Sequence, residues 1–176
     1  KYADFSGNYF GNRKKLTKDW YKGTLGIEPI DDLIKDGFDT AYMHHIGRLM
    51  FVGNFMNLSE IHPKEGFKWF MEFSIDSYEW VMHQNVLDMV FFVTGGKTMR
   101  KPYASKSNYL LKMSDYKKGD WCPIWDSLYW GFVDRNREFF RKNPRMSMMV
   151  SMFDKKDDAS KKKLFETSEN FIEKLF

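Results

Sequence analysis

One cysteine, Cys122, stands in 176 residues. That excludes an internal disulfide framework and a metal site made of thiolates alone, and it points to a reducing intracellular compartment, an organelle included. Proline is scarce, with five residues, and no linker, low-complexity tract or repeat divides the chain. No apolar run reaches the roughly 18 residues of a spanning helix; the best are LMFVGNFM and MVFFVTGG. There is no glycine-rich phosphate loop, since Gly95–Gly96 stands alone, and no local signature of a Ser–His–Asp arrangement. Strict alternation does not survive beyond four residues, which argues against strands. The first residue is Lys, not Met, and no signal-peptide pattern shows in the opening residues, so the expectation is a processed, truncated or partly represented chain.

What is present is aromatic: 17 Phe, 9 Tyr and 6 Trp, with 12 Met as soft filler. This composition suits a globular domain with a sizeable core. The net charge of +4 permits contact with phosphates without demanding it. The basic clusters NRKK, KTMRK, RKNPR and KKDDASKKK read as solvated faces, although Tyr103 beside KTMRKP interleaves aromatic and basic character.

The expected class is all-α, as one helical domain over residues 1–176. Residues 1–30 form an irregular lead-in with a short helix through Lys14–Tyr21. A helical pattern starts at Asp31, where the acids of DDLIK suit a first turn. Apolar residues at three- and four-residue spacing predict helices over Asp39–Leu58, Pro63–Met82 and Asp126–Lys142. An amphipathic helix closes the chain within residues 154–176, its stripe running through Ser160–Phe176. Residues 84–116 read as a long irregular connection, which in a compact domain is often functional.

The stretch AYMHHIGRLM places two imidazoles and a guanidinium in an otherwise apolar helix. Neighbours on a helix point about 100° apart, so His44 and His45 do not share a metal, and no metal site is expected. They are either a satisfied core and boundary pair or a proton donor at a cavity wall. Arg48 lies one turn from His44, and a buried guanidinium needs an anion, for which Glu72, Asp76 and Glu79 are available. The six tryptophans are core residues, or a hopping chain if a redox cofactor is present.

The run YMHHIGRLMFVGNF, then WFMEFSIDSYEWVM, QNVLDM, GG…KPY, NYLLKMSDYKKG, LYW and NPRM resembles, in order and spacing, the deoxyribodipyrimidine photolyase-related proteins. These are the bacterial (6-4), iron–sulfur branch of the photolyase/cryptochrome superfamily. The resemblance covers about residues 20–150, with the family core placed at 31–150. It implies the C-terminal half of a helical FAD-binding domain, where light drives an electron from reduced flavin into a lesion flipped out of DNA. It further implies that His45, supported by His44, is the proton donor on the lesion side and that Tyr103 is the lesion-side aromatic. Arg48 and Glu79 become a charge pair beside the flavin ring, Asn85 lies near its reactive nitrogen, and Trp69 and Trp20 belong to the electron path.

The departures from the family pattern point the other way. Where the family has four cluster cysteines, this chain has Pro29, Lys117, Asp120 and Cys122, so no iron–sulfur cluster is expected. A glycine that admits the ring is replaced by Asp88, an acid of the pocket by Thr94, and a proline by Gln84. The antenna domain and the first half of the helical domain would precede Lys1. FAD is therefore expected only where the complete domain is present. The favoured function is a fragment that is not catalytic on its own and serves as a structural or accessory subunit, its apolar faces covered by another polypeptide. The alternative is part of an active light-driven photolyase, with damaged DNA as partner, or of a cryptochrome photoreceptor.

Overall fold

The computed structural model describes residues 4–176, so the first three residues of the expected lead-in lie outside the described residues. The described residues are helical, with a single isolated parallel bridge between Lys14 and Ile61 and no strand. The all-α expectation holds. None of the helices is long and apolar enough to cross a membrane. Internal packing divides the chain, expected as one domain, into two compact units, Lys1–Ser105 and Lys106–Phe176.

In the first unit the expected helix Lys14–Tyr21 shrinks to α1, Asp19–Lys22. Gly23 ends it at φ 62, where a Cβ would come within 2.5 Å of the Asp31 carbonyl oxygen. Helix α2, Glu28–Thr40, has Pro29 in its first turn. The Asp31 carboxylate accepts from the backbone N–H groups of Leu25 (2.7 Å) and Gly26 (2.9 Å), which anchors the turn before it. Ala41 stops α2 in the left-handed region at φ 55, so the expected helix Asp39–Leu58 is split. Its remainder is α3, a π-helical segment Gly47–Gly53 that runs into the α-helix Asn54–Leu58.

Helix α4, Pro63–Phe73, starts as expected at its proline, and His62 Nδ1 accepts from the Lys64 N–H at 3.1 Å. The expected continuation to Met82 is broken at residues 74–78. Helix α5, Glu79–Met82, then passes into a second π-helical segment, His83–Val90. The two π segments meet at Gly53, where a Cβ would lie 2.7 Å from Val90 Cγ2. Trp20, Phe55, Trp69 and Phe70 are fully buried around this framework.

The second unit holds α6 (Ser107–Lys112), α7 (Trp121–Arg135), α8 (Arg137–Lys142), α9 (Ser147–Asp154) and α10 (Asp158–Leu175). Helix α6 occupies part of the stretch read as irregular, and α7 begins at Trp121 rather than Asp126. Asp126 Oδ1 accepts the Ser107 N–H at 2.7 Å and so ties the start of α6 to α7. Helix α10 is the expected amphipathic helix. Its buried Ser168 lies against Gly131 of α7, and Asp157 caps it by accepting from the Ser160 N–H. Trp130 stacks on Phe153 at 5.6 Å, and Phe153 meets Phe165 at 5.8 Å.

Candidate functional site

Every residue singled out from the sequence as catalytic, cofactor-binding or electron-transferring lies in the first unit. Arg48, in the first π segment, is 5% exposed, so its charge must be met from within. Its Nη2 donates to Asp76 Oδ1 at 2.7 Å, to Ser74 Oγ at 3.0 Å and to the Met43 carbonyl at 3.0 Å. Its Nη1 lies 3.7 Å from Met82 Sδ. The expected partner, Glu79, is displaced from this role: its side chain is 73% exposed and sits 3.7 Å from His83. The cause is the break at residues 74–78, which turns Ser74 and Asp76 back toward α3 and leaves Glu79 in the outward first turn of α5. Burial pushes the Asp76 carboxyl up, but the Ser74 hydroxyl and the Arg48 guanidinium together outweigh it and hold it below its ordinary value.

The Nε of Arg48 and the Oδ1 of Asn54, both buried, have no hydrogen-bond partner among the described residues. Unsatisfied buried polar atoms are costly, and they are what a polar ligand ring would satisfy. Around Asp76 in the chain, large side chains are exposed between carboxylates: Ile75 is 80% exposed, Tyr78 66% and Trp80 77%, with Asp76 and Glu79 interleaved.

Asp88 is fully buried in the second π segment, yet it is not stranded. Its Oδ1 accepts from the Thr94 N–H at 3.1 Å and the Thr94 hydroxyl at 2.6 Å, and its Oδ2 accepts from the Thr98 hydroxyl. Two positions that depart from the family pattern, Asp88 and Thr94, are therefore partners. Asn85, on the same segment, is half-buried.

His44 and His45 are both exposed. His44 Nδ1 accepts the Ile46 N–H at 3.2 Å and so helps start the helical run, which is a structural use of the imidazole. Partial burial, then the positive charge of Arg48, lowers the His45 pKa. Tyr103 is half-buried, and its backbone N–H donates to the Met89 carbonyl at 2.8 Å. Trp69 Nε1 donates to the Trp20 carbonyl at 3.0 Å, which joins the two tryptophans assigned to the electron path. Sequence reasoning missed Ser74 and Thr98, whose hydroxyls meet the two carboxylates; isolated hydroxyls carry no signal without the fold. It also missed Asn57, which donates to the Val90 carbonyl at 3.1 Å and accepts from Asn12 at 2.9 Å. Among the described residues no three His, Cys, Asp or Glu side chains gather as metal ligands, and Cys122 is buried as a free thiol.

No family model matches the chain. The chain is 34% identical over 178 residues to a (6-4) photolyase of Agrobacterium fabrum, an alignment that takes in 96% of this chain and 35% of that protein. It is 52% identical over 93 residues to an uncharacterized protein of Acanthamoeba polyphaga mimivirus, covering 52% of this chain and 76% of the viral protein. A second uncharacterized protein of that virus is 46% identical over 35 residues, 20% of this chain and 27% of the other. The chain thus spans about a third of the length of the photolyase it matches.

Proposed function

Because the chain belongs to the photolyase/cryptochrome superfamily, we propose that it supplies one wall of a helical flavin-binding domain and is not catalytic by itself, serving as a structural or accessory part of a larger assembly. The observation that carries this reading is Arg48. A buried guanidinium is fixed by Asp76 and Ser74, its Nε has no partner among the described residues, and the segment that carries Asp76 also carries the exposed Ile75, Tyr78 and Trp80. Half a binding chamber has this character: polar groups set in place, and an apolar rim with nothing on it.

The residues present fit a flavin on the side they supply. Arg48 and Asn54 each have a buried polar atom to offer, and Asn85 and Asp88 lie on the second π segment. When bound, FAD would supply light-driven one-electron chemistry. The protein's part is to hold the ring, exclude water and manage protons. At His45, burial and then the charge of Arg48 lower the imidazole pKa, and the ring is exposed rather than set in a cavity wall. Closure of Asp88 onto Thr94 and Thr98 supports the non-catalytic reading, since that carboxylate is engaged within the chain.

The second reading, part of an active light-driven photolyase acting on damaged DNA or of a cryptochrome photoreceptor, is favoured by the presence of a buried guanidinium held by a carboxylate, Arg48–Asp76 at 2.7 Å. Intact mass and visible absorbance of the natively purified protein separate the two. Colourless protein that co-purifies stoichiometrically with a larger polypeptide is the expected result. A flavin band on the isolated chain, with repair of a lesion-bearing oligonucleotide in light, would replace the first reading by the second.

A further inference from the structure

The second unit holds a groove of about 270 Å³ that none of the inherited residues explains. Helix α7 lines it with Pro123, Asp126 and Ser127, and α10 with Ser160, Lys163, Leu164 and Thr167; Lys156 enters from the turn before α10. The lining is two-signed, with two ammonium groups and one carboxylate set around an apolar wall.

The state of each polar group narrows the ligand. In the KKK run at 161–163, Lys161 donates to the Asp154 carbonyl at 3.1 Å, and Lys162 lies 3.8 Å from Glu166. Lys163 faces the groove with no ion-pair partner among the described residues. Lys156 has its Nζ 5.3 Å above the Trp130 ring. One oxygen of Asp126 takes the Ser107 N–H, and the other is uncommitted. The three hydroxyls already donate: Ser127 to the Pro123 carbonyl, Thr167 to the Lys163 carbonyl and Ser160 to Asp157. They therefore offer lone pairs to a ligand rich in O–H or N–H groups.

Charge favours an anion. The second unit carries 15 Lys and Arg against 11 Asp and Glu, while the first carries 13 of each, so the whole net charge of +4 belongs to the unit with the groove. The helix start itself is closed to an anion by its cap, Asp157, so an anionic group falls one turn further in, at Lys163. The volume lies just below the ~300–1,000 Å³ of ordinary small-ligand pockets, enough for a single small molecule and not for a duplex.

We propose that this groove binds a nucleoside monophosphate with an exocyclic amine on its base. Lys163 and Lys156 take the phosphate as point charges. The free oxygen of Asp126 accepts from the amine. The hydroxyl oxygens accept from the sugar, and Pro123 and Leu164 cover its apolar face. This site is independent of the flavin reading and stands or falls without it.

Calorimetric titration of the 176-residue chain tests it, with adenosine 5′-monophosphate as the probe. Saturable binding is expected, at least about tenfold tighter than adenosine or inorganic phosphate alone and than inosine 5′-monophosphate, which offers a carbonyl in place of the amine. Lys163→Ala, an exposed change checked for folding by circular dichroism, should weaken binding about tenfold or more. Asp126→Asn keeps an acceptor for the Ser107 N–H and should reverse the preference between the two nucleotides. Any of three results overturns the proposal: no saturable binding at millimolar nucleotide, inorganic phosphate binding as tightly as the nucleotide, or an oligonucleotide without terminal phosphate competing equally well.

Discussion

Both π-helical segments, Gly47–Gly53 and His83–Val90, lie in the first unit. So do the three non-glycine residues with positive φ among the described residues, Ala41, Glu60 and Phe92. The first unit buries Asn12, Arg48, Asn54, Asn57, Ser59, Ser74, Asp88 and Thr94, whereas the buried polar residues of the second are serines alone: Ser107, Ser127 and Ser168. The second unit is built of ordinary α-helices with aromatic packing, and it carries all of the net charge. Backbone strain and buried polar groups persist where the surroundings over-determine them, and they cluster at functional sites. The contrast sets a unit of π-helical backbone and buried polar groups, the one in which we propose a chamber wall, against a regular α-helical unit that carries the net charge.

The strongest way to break this comparison is at Arg48. Arg48→Met takes the guanidinium from Ser74 Oγ and the Met43 carbonyl and leaves Asp76 with the Ser74 hydroxyl but no cation. It should cost about 2–3 kcal/mol, less than a fully buried pair because Asp76 is half exposed to water. Hydrogen exchange should show the loss in residues 4–105; equal loss in 106–176 would remove the distinction between the units. Next is Asp88→Ala, expected to cost about 2 kcal/mol by leaving the Thr94 N–H and hydroxyl unmet. A double-mutant cycle with Thr94→Val should return a coupling of about 1 kcal/mol, and additive effects would deny the partnership.

Changing the pH sharpens the comparison further. The folded-state pKa of Asp76 is lowered, so its contribution is present above the ordinary value of 3.8 and is lost as pH falls through the folded value. The His45 pKa is also lowered, so the unfolded chain binds more protons there and stability rises as pH climbs through the ordinary 6.5. Urea unfolding of His45→Gln should lose this rise near pH 6, an effect of less than about 1 kcal/mol for so exposed a group. The smallest effect belongs to the surface of α10. Lys162→Ala removes an exposed pair with Glu166 and should change stability by less than about 0.5 kcal/mol.

Much of this was legible in the residues. Pro63 marks the start of α4, the apolar stripe marks α10, and the burial of Arg48 made a carboxylate partner obligatory. What was not legible has physical reasons. Alanine at 41 is not a residue that announces a left-handed stop. The apolar spacing of Phe70, Met71, Tyr78 and Val81 runs straight across the break at residues 74–78, so the residues offered Glu72, Asp76 and Glu79 alike, and the family resemblance singled out Glu79 where the fold uses Asp76. A π-helical segment has no composition of its own; here it follows from the close approach of Gly53 to Val90. Position 88 read only as an acid in place of a glycine, and its partners Thr94 and Thr98 come from a turn whose shape no periodicity gives.

The central claim, that the first unit is one wall of a chamber completed by other residues, is tested most directly by complementation. The chain is mixed with FAD, with and without the part of a photolyase-like protein that it does not span, and flavin absorbance is followed through gel filtration. Flavin should co-elute with the pair and not with the chain alone. Stoichiometric flavin on the chain alone, or none on the pair, would contradict the account.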